Sequence, residues 1–323
     1  YKRQLLEIVK KENIDVFVPV SSPAGSYYES LAKPLLSKHC EVLHFDADIT
    51  QMLDNKFTFI EKAKSFGLSV PKSFLITDPE QIINFDFAAD GSRYILKSIP
   101  YDSVRRLDLT KLPMNSRAEI KQFVGSLPIS EEKPWIMQEF VKGKEYCTHS
   151  TVRKGKIRLY CCCESSEFQV NYEHVDNPQI YDWVEKFVRE LNITGQISFD
   201  FIQTEDGRVF PIECNPRTHS AITTFHDHPG VADAYLKDSQ DDKETSILPL
   251  PNSQPTYWAY HELWRLTRVR SLDQFKIWIR RINQGTDGIF QVNDPLPFLM
   301  VHHWQIFLLP VSYTHLTLPT SVM

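Results

Sequence analysis

The stretch QISFDFIQTEDGRVFPIECNPR, Gln196 to Arg217, decides the fold. Two strand-like runs, QISFDFIQ and RVFPIECN, flank TEDG, and Asp206-Gly207 is a dipeptide favoured in two-residue hairpin turns. Such a turn sets Glu205 against Arg208, and counting outward sets Asp200 directly against Glu213. One face then carries Phe199, Phe201, Phe210, Ile212 and Cys214, and the other carries Asp200, Glu213 and Asn215. A one-residue change of turn would separate the two acids.

Directly opposed residues stand roughly 5 Å apart at their β-carbons, where two carboxylates repel by about 3 kcal/mol at an effective dielectric near 20. Protonation of one acid offsets that, and so does a divalent cation. Asn215 adds a third hard oxygen, which favours Mg²⁺ (or Mn²⁺) shared with phosphate oxygens, and Arg217 beyond Pro216 suits a phosphoryl oxygen. The plain alternative is a solvated hairpin face whose acids splay apart.

Outward from the hairpin, the chain alternates short apolar runs with helical patterns. Ile14–Val20 and EVLHFD read as strands of a parallel α/β unit, Asp54 as an N-cap, and Phe57, Ile60, Ala63 and Phe66 as a helix face that stops at Gly67. RYILKS reads as a strand. WIMQEF, EYCTHSTV and IRLYCCC, separated by VKGK and RKGK, read as a three-strand meander. Asn177-Pro178 opens a helix with one apolar stripe, closing near Gly195.

These pieces, in this order, resemble the ATP-grasp superfamily: the pattern D-F-I-x(5)-G-x-V-F-P-I-E-C-N-P-R is similar to its metal-binding hairpin. The resemblance implies an α/β (α+β) ATP-grasp fold with ATP and Mg²⁺ as cofactors. It implies metal ligation by Asp200, Glu213 and Asn215, and phosphate contacts from Lys56 and from the catalytic pair Lys97 and Arg217. It places Glu139, Phe140 and Val141 at the adenine hinge and Glu145 at the ribose. Many members cover the triphosphate with a glycine-rich loop. Here SIPYDSVRRLDLT lacks glycine, so Ser98, Ser103, Arg105 and Arg106 become the expected lid donors.

KSIPYDSVRRLDL, ESSEFQVNYEHVD, HPGVADAYL and YHELWRL resemble more narrowly the mycosporine-glycine synthase family. That resemblance implies C–N ligation, in which ATP activates an enolic oxygen of 4-deoxygadusol and glycine displaces phosphate. Candidates for the acceptor site are Thr218, His219 and Ser220 after Arg217, and Cys147, His149 and Ser150 on a strand, against a plain reading as structural donors. A ligase for another acceptor and amine, and a catalytically inactive nucleotide-binding module, are the competing readings. His226-Asp227-His228 fits loop hydrogen bonding better than a metal cluster.

Five segments follow: residues 1–53 as a partial α/β unit ahead of the ATP-grasp domain, 54–237 as that domain, 238–256 as a linker, 257–310 as a helical C-terminal region, and 311–323 as a tail. The tail resembles a translated library-adapter sequence and is set aside as non-native. The chain begins at Tyr1, so the N-terminal unit reads as truncated. In all there are 323 residues, 42% hydrophobic, with 36 basic against 41 acidic residues and a formal charge of -5, which argues against a general nucleic-acid binder and leaves room for a local basic cleft that holds a phosphate compound; small-molecule substrates are what the resemblance implies. Six cysteines, three of them consecutive, fit neither a metal spacing nor a disulfide framework, so a reducing, cytoplasmic setting is expected. PFLMVHHWQIFLL is too short and too polar to span a membrane, and helical packing is favoured over a membrane-surface role.

Overall fold

The computed structural model describes residues 2–20, 23–100, 102, 104–105, 108–165, 172–238 and 245–305. Ser103 and Arg106 of the expected lid, and the tail 311–323, lie outside the described residues.

The N-terminal unit runs α1 (Lys2–Lys11), β1 (Val16–Phe17), α2 (Pro23–Leu36) and β2 (Glu41–Val42), with β1 and β2 parallel. Val9, Ala32, Leu36 and Val42 form its small core. Next come α3 (Ala47–Asp54) and α4 (Lys56–Ser65). Asp54 is not the cap of α4. Asn55 accepts from the Phe57 and Thr58 amides at 3.0 and 3.2 Å, one residue later than expected, so Asp54 becomes the last residue of α3.

A first four-stranded antiparallel sheet has the order β3-β6-β4-β5. Its elements are β3 (Ser73–Ile76), α5 (Pro79–Ile83), α6 (Phe87–Asp90), β4 (Tyr94–Ser98), β5 (Lys111–Leu112), α7 (Arg117–Gly125) and β6 (Trp135–Glu139). Alternation sends Tyr94, Leu96, Trp135 and Met137 into a core with Ile82, Ile120 and Val124. Lys97 therefore leaves by the opposite face.

The second sheet has the order β10-β9-β7-β8, from β7 (Lys144–Arg153), β8 (Lys156–Glu164), β9 (Gly195–Gln203) and β10 (Val209–Asn215), with α8 (Pro178–Leu191) packed against it. The expected meander is thus split. VKGK carries the chain from one sheet to the other, whereas Lys154-Gly155, at φ 49° and 72°, makes a true reversal between β7 and β8. The helix α8 is capped by Asn177 and ends at Leu191, with Asn192 left-handed, before Gly195 is reached. Its Trp183 and Phe187 stack at 5.3 Å and meet Phe59 of α4 and Phe199 of β9. Each such ring contributes roughly 1.5–3 kcal/mol by leaving water. The cysteine run is explained by alternation: Cys162 enters this aromatic core, while Cys161 and Cys163 enter a second cluster with Ala221, Phe225 and Ala234.

Beyond a 3-10 turn (Ser220–Phe225) lie α9 (Val231–Leu236), β11 (Thr256–Tyr257), α10 (Ala259–Leu266), α11 (Leu272–Gln284), β12 (Thr286–Asp287) and α12 (Leu296–Met300). The expected linker is partly docked: Ile247 donates to Arg158 O and accepts from Tyr160 N, both at 2.9 Å, which extends the β8 edge. His228 Nδ1 accepts from Gly230 N at 3.0 Å, a loop hydrogen bond. Among the described residues no helix is long and apolar enough to cross a membrane.

Candidate active site

The hairpin register places Glu213 directly opposite Asp200, by a different route from the two-residue turn. Thr204 N donates to Arg208 O and Gly207 N to Thr204 O, both at 2.9 Å, so the loop holds three residues, with Gly207 at φ 83°. Val209 therefore pairs with Gln203 and Pro211 with Phe201, one residue out of the expected register. A β-bulge between Pro211 and Glu213 absorbs the extra residue and restores the acid pair. The same bulge corrects the faces. Val209 and Cys214 join Phe199 and Phe201 in the core, while Phe210 and Ile212 remain half-buried outside it.

Two rows of side chains cross the open face of this sheet: Cys147, Asp200 and Glu213, and beside them Glu145, Ile202 and Phe210. Lys56, at the start of α4, pairs with Glu213 at 3.0 Å and overrides burial, so Glu213 is held below the ordinary carboxylate range. Asp200 has no cationic partner within ion-pair distance among the described residues. Burial first, then Glu213 and Glu145, push it up to about 7 against the pull of Lys97 and Arg217. Burial likewise draws the Lys97 ammonium down, with Glu213 and Asp200 opposing. Alternation along β4 turns Lys97 of the first sheet away from its helix-packed core, and the acids of the second sheet act on its charge.

Asn215 Nδ2 donates to Asp200 at 3.4 Å, and Asn215 Oδ1 accepts from Arg217 Nη2 at 2.8 Å. The amide thus stands with nitrogen, not oxygen, toward the acids, so the expected third oxygen ligand joins the pair only on turning over. Two opposed carboxylates, one without a counter-charge, fit a divalent cation, which would remove the repulsion that now raises Asp200.

The other expected residues divide. Glu139 faces the helix-packed side of its sheet, and its Oε2 accepts from Lys72 N at 3.1 Å, so its carboxylate braces the hinge and does not reach the cleft. Phe140 N is taken by Arg93 O at 2.7 Å, and Lys111 Nζ lies 3.8 Å over the Phe140 ring. Val141 is half-buried at the crossover. Ser98 and Arg105 are not gathered with the acids. They line a separate cavity of about 540 Å³ with Lys133 and Trp135, where Arg105 pairs with Asp102 at 3.2 Å.

Among the acceptor candidates, Ser150 pairs with Tyr160 and Ile197, both in the aromatic core, so strand alternation turns it away from the cleft. His149 is fully buried and its Nδ1 accepts from His219 N at 3.3 Å. His219 Nδ1 caps the following turn at Ala221 N, Thr218 donates to Pro19 O at 3.1 Å, and Ser220 accepts from Tyr172. These groups hold the turn that carries Arg217. Sequence reasoning missed Ile202 and Phe210, an apolar shelf beside Glu145 suited to a flat ring, and Asp54. The position of Ile202 two residues after Asp200 was a usable signal.

A family model of the ATP-grasp domain matches residues 54–221, and the chain belongs to that family. The C-terminal section of the carbamoyl phosphate synthase large chain of Methanopyrus kandleri is 23% identical over 237 residues, covering 68% of this chain and 42% of that protein. The chain therefore spans about two fifths of the length of this curated relative. The fold is similar to that of carboxyaminoimidazole ribonucleotide synthase from Aspergillus clavatus in complex with ATP. There the TM-score is 0.53 at 15% identity, over 78% of this chain and 65% of that one. It is similar also to the biotin carboxylase domain of Hydrogenobacter thermophilus 2-oxoglutarate carboxylase in complex with MgADP, ADP and bicarbonate. There the TM-score is 0.54 at 13% identity, over 74% and 58% of the two chains.

Proposed function

We propose that this chain is an ATP-dependent C–N ligase that joins 4-deoxygadusol to glycine. The observation that carries the ligase reading is the opposition of Asp200 and Glu213 within reach of Lys56, Lys97 and Arg217. Substrate identity rests on the sequence resemblance to mycosporine-glycine synthases.

In this reading the base of ATP lies on Ile202 and Phe210 against the hinge main chain, and Glu145 meets the ribose. Lys56, Lys97 and Arg217 neutralise the phosphate oxygens, and Asp200, Glu213 and Asn215 would hold magnesium or manganese. Bound there, the ion would supply charge stabilisation to the phosphoryl oxygens. The enolic oxygen of the acceptor loses its proton and takes the γ-phosphoryl group as the bond to ADP breaks. Glycine's ammonium gives up one proton to become the amine, its nitrogen bonds the carbon that carries the phosphorylated oxygen, phosphate leaves with the C–O electrons, and the nitrogen sheds a second proton. Phosphoryl transfer needs positioning and charge neutralisation, so no protein nucleophile is invoked.

The test is acceptor-dependent phosphate release by wild type and Glu213→Ala. The variant should lose at least about a hundredfold in rate, the scale of removing a positioned charge-stabilising group. Near-normal turnover would overturn the assignment. Phosphate release with other pairs and none with 4-deoxygadusol and glycine would overturn the substrate reading alone.

A further inference from the structure

We propose that the cavity of about 290 Å³ between α2, the end of α3 and the Pro216–Arg217 turn binds the amine co-substrate as an α-amino acid zwitterion, its ammonium at Asp54 and its carboxylate at Arg217. The inference rests on the ligase reading above and specifies where and as what the amine binds.

The cavity is lined by Tyr27, Tyr28, Thr50, Gln51, Asp54 and Arg217, with Ser26 and Pro216 at its floor. Its two charges have opposite sign. Asp54 makes no hydrogen bond to a side chain or main-chain donor among the described residues, because Asn55 has taken over the cap of α4. As the last residue of α3, Asp54 also sits where the helix dipole disfavours a carboxylate and attracts a cation. Asp54 is exposed at the cavity wall, so a ligand ammonium can reach its carboxylate and supply the ion pair it lacks among the described residues.

Arg217 meets the other end. Of its five N–H donors, one goes to Asn215 Oδ1 at 2.8 Å and one to Thr218 O at 3.4 Å, which leaves three to divide between a phosphate oxygen and a carboxylate. An α-amino acid carries its ammonium and its carboxylate on one α-carbon, so one small molecule satisfies both groups. The volume falls at the bottom of the range for drug-sized ligands and suits a small metabolite. Because Arg217 also holds Asn215 beside Asp200, an amine seated here stands next to the phosphoryl-transfer centre.

Equilibrium dialysis of the full chain with radiolabelled glycine, with and without ADP and MgCl₂, tests this. Wild type should bind glycine saturably, and methylamine or acetate alone should compete more weakly. Asp54→Asn should weaken glycine by on the order of ten- to a hundredfold, the factor carried by a hydrogen bond to a charged group, with ADP affinity unchanged. Gln51→Trp, which fills the mouth without altering charge, should also block glycine and spare ADP. Glycine binding to Asp54→Asn as tight as to wild type overturns the proposal. So does a wild type that binds ADP but neither glycine, L-alanine nor L-serine. Absent ADP binding would count against the ligase reading, while Asp54-dependent glycine binding in the nucleotide-free arm would still uphold the cavity.

Discussion

Glu213 faces Asp200 across the β9–β10 ladder, and only Glu213 has a cation, Lys56, at 3.0 Å. Burial first, then Glu213 and Glu145, hold the proton on Asp200 to about 7, where the unfolded chain loses it near 3.8. Between those values the folded protein binds more protons at Asp200, so the contribution of this group to metal-free stability falls as pH rises from about 4 to about 7. Asp200→Asn should flatten that decline and raise metal-free stability at pH 8 by roughly 1–3 kcal/mol, since each pKa unit is worth about 1.4. The same variant should lose the stabilisation that Mn²⁺ gives wild type. Urea unfolding across pH, with and without Mn²⁺, measures both, and an unchanged pH slope would refute the uneven sharing of charge.

The acid pair was legible in the sequence although its turn was not. T-E-D-G fits a three-residue loop with Gly207 left-handed as well as a two-residue one, and composition does not decide between them. The bulge at Ile212 has no marker of its own, yet it cancels the longer loop, so the pairing survived while Phe210 and Ile212 changed sides. The aromatic stripe of α8 was readable because its 3.6-residue period is strong and uninterrupted. Glycine in VKGK and RKGK gave the same local signal for two different events, a crossover and a hairpin, because only distant pairing partners separate them. Asp54 reads in the sequence as the cap of α4 and not as a site residue, since aspartate caps as well as its neighbour Asn55.

Gly143 in that crossover is a steric requirement. A β-carbon there would come within 2.1 Å of Gln203 O and 2.8 Å of Ile202 Cγ2, and backbone cannot give way as a side chain can. Gly143→Ala should cost roughly 1–3 kcal/mol, as overpacking does, and should weaken ADP by tilting the hinge from the Ile202 shelf. Denaturation midpoints and ADP titration report the two effects separately. Wild-type values in both would show that the hinge and hairpin need no close approach.

Arg217 is committed to two acceptors in different directions, Asn215 Oδ1 and Thr218 O. Lysine offers one point charge and no planar fork, so Arg217→Lys should preserve the sign of the site yet lose its geometry. The expected result is a fall of about tenfold or more in kcat, the size of a lost charge-assisted hydrogen bond, with little change in stability. Steady-state kinetics beside thermal unfolding distinguishes this from general damage. Full activity in the lysine variant would reduce the role of Arg217 to charge alone.

His149 and His219 give the fold an acid limit. Burial first, then the charge of His219, hold His149 down to about 3, and burial with Arg217 holds His219 to about 4. Each takes up a proton near 6.5 when unfolded and refuses it when folded, so the unfolded state binds more protons between those values. The contribution of the two histidines is therefore complete above about 6.5 and is lost as pH falls toward 4, opposite in sign to that of Asp200. His149→Gln keeps an acceptor for His219 N but removes one titrating group. The slope of unfolding free energy against pH between about 4.5 and 6 should then drop by about one proton, leaving the contribution of His219. An unaltered slope would mean that His149 is protonated inside the folded protein, and the turn carrying Arg217 would then need another anchor than a neutral imidazole.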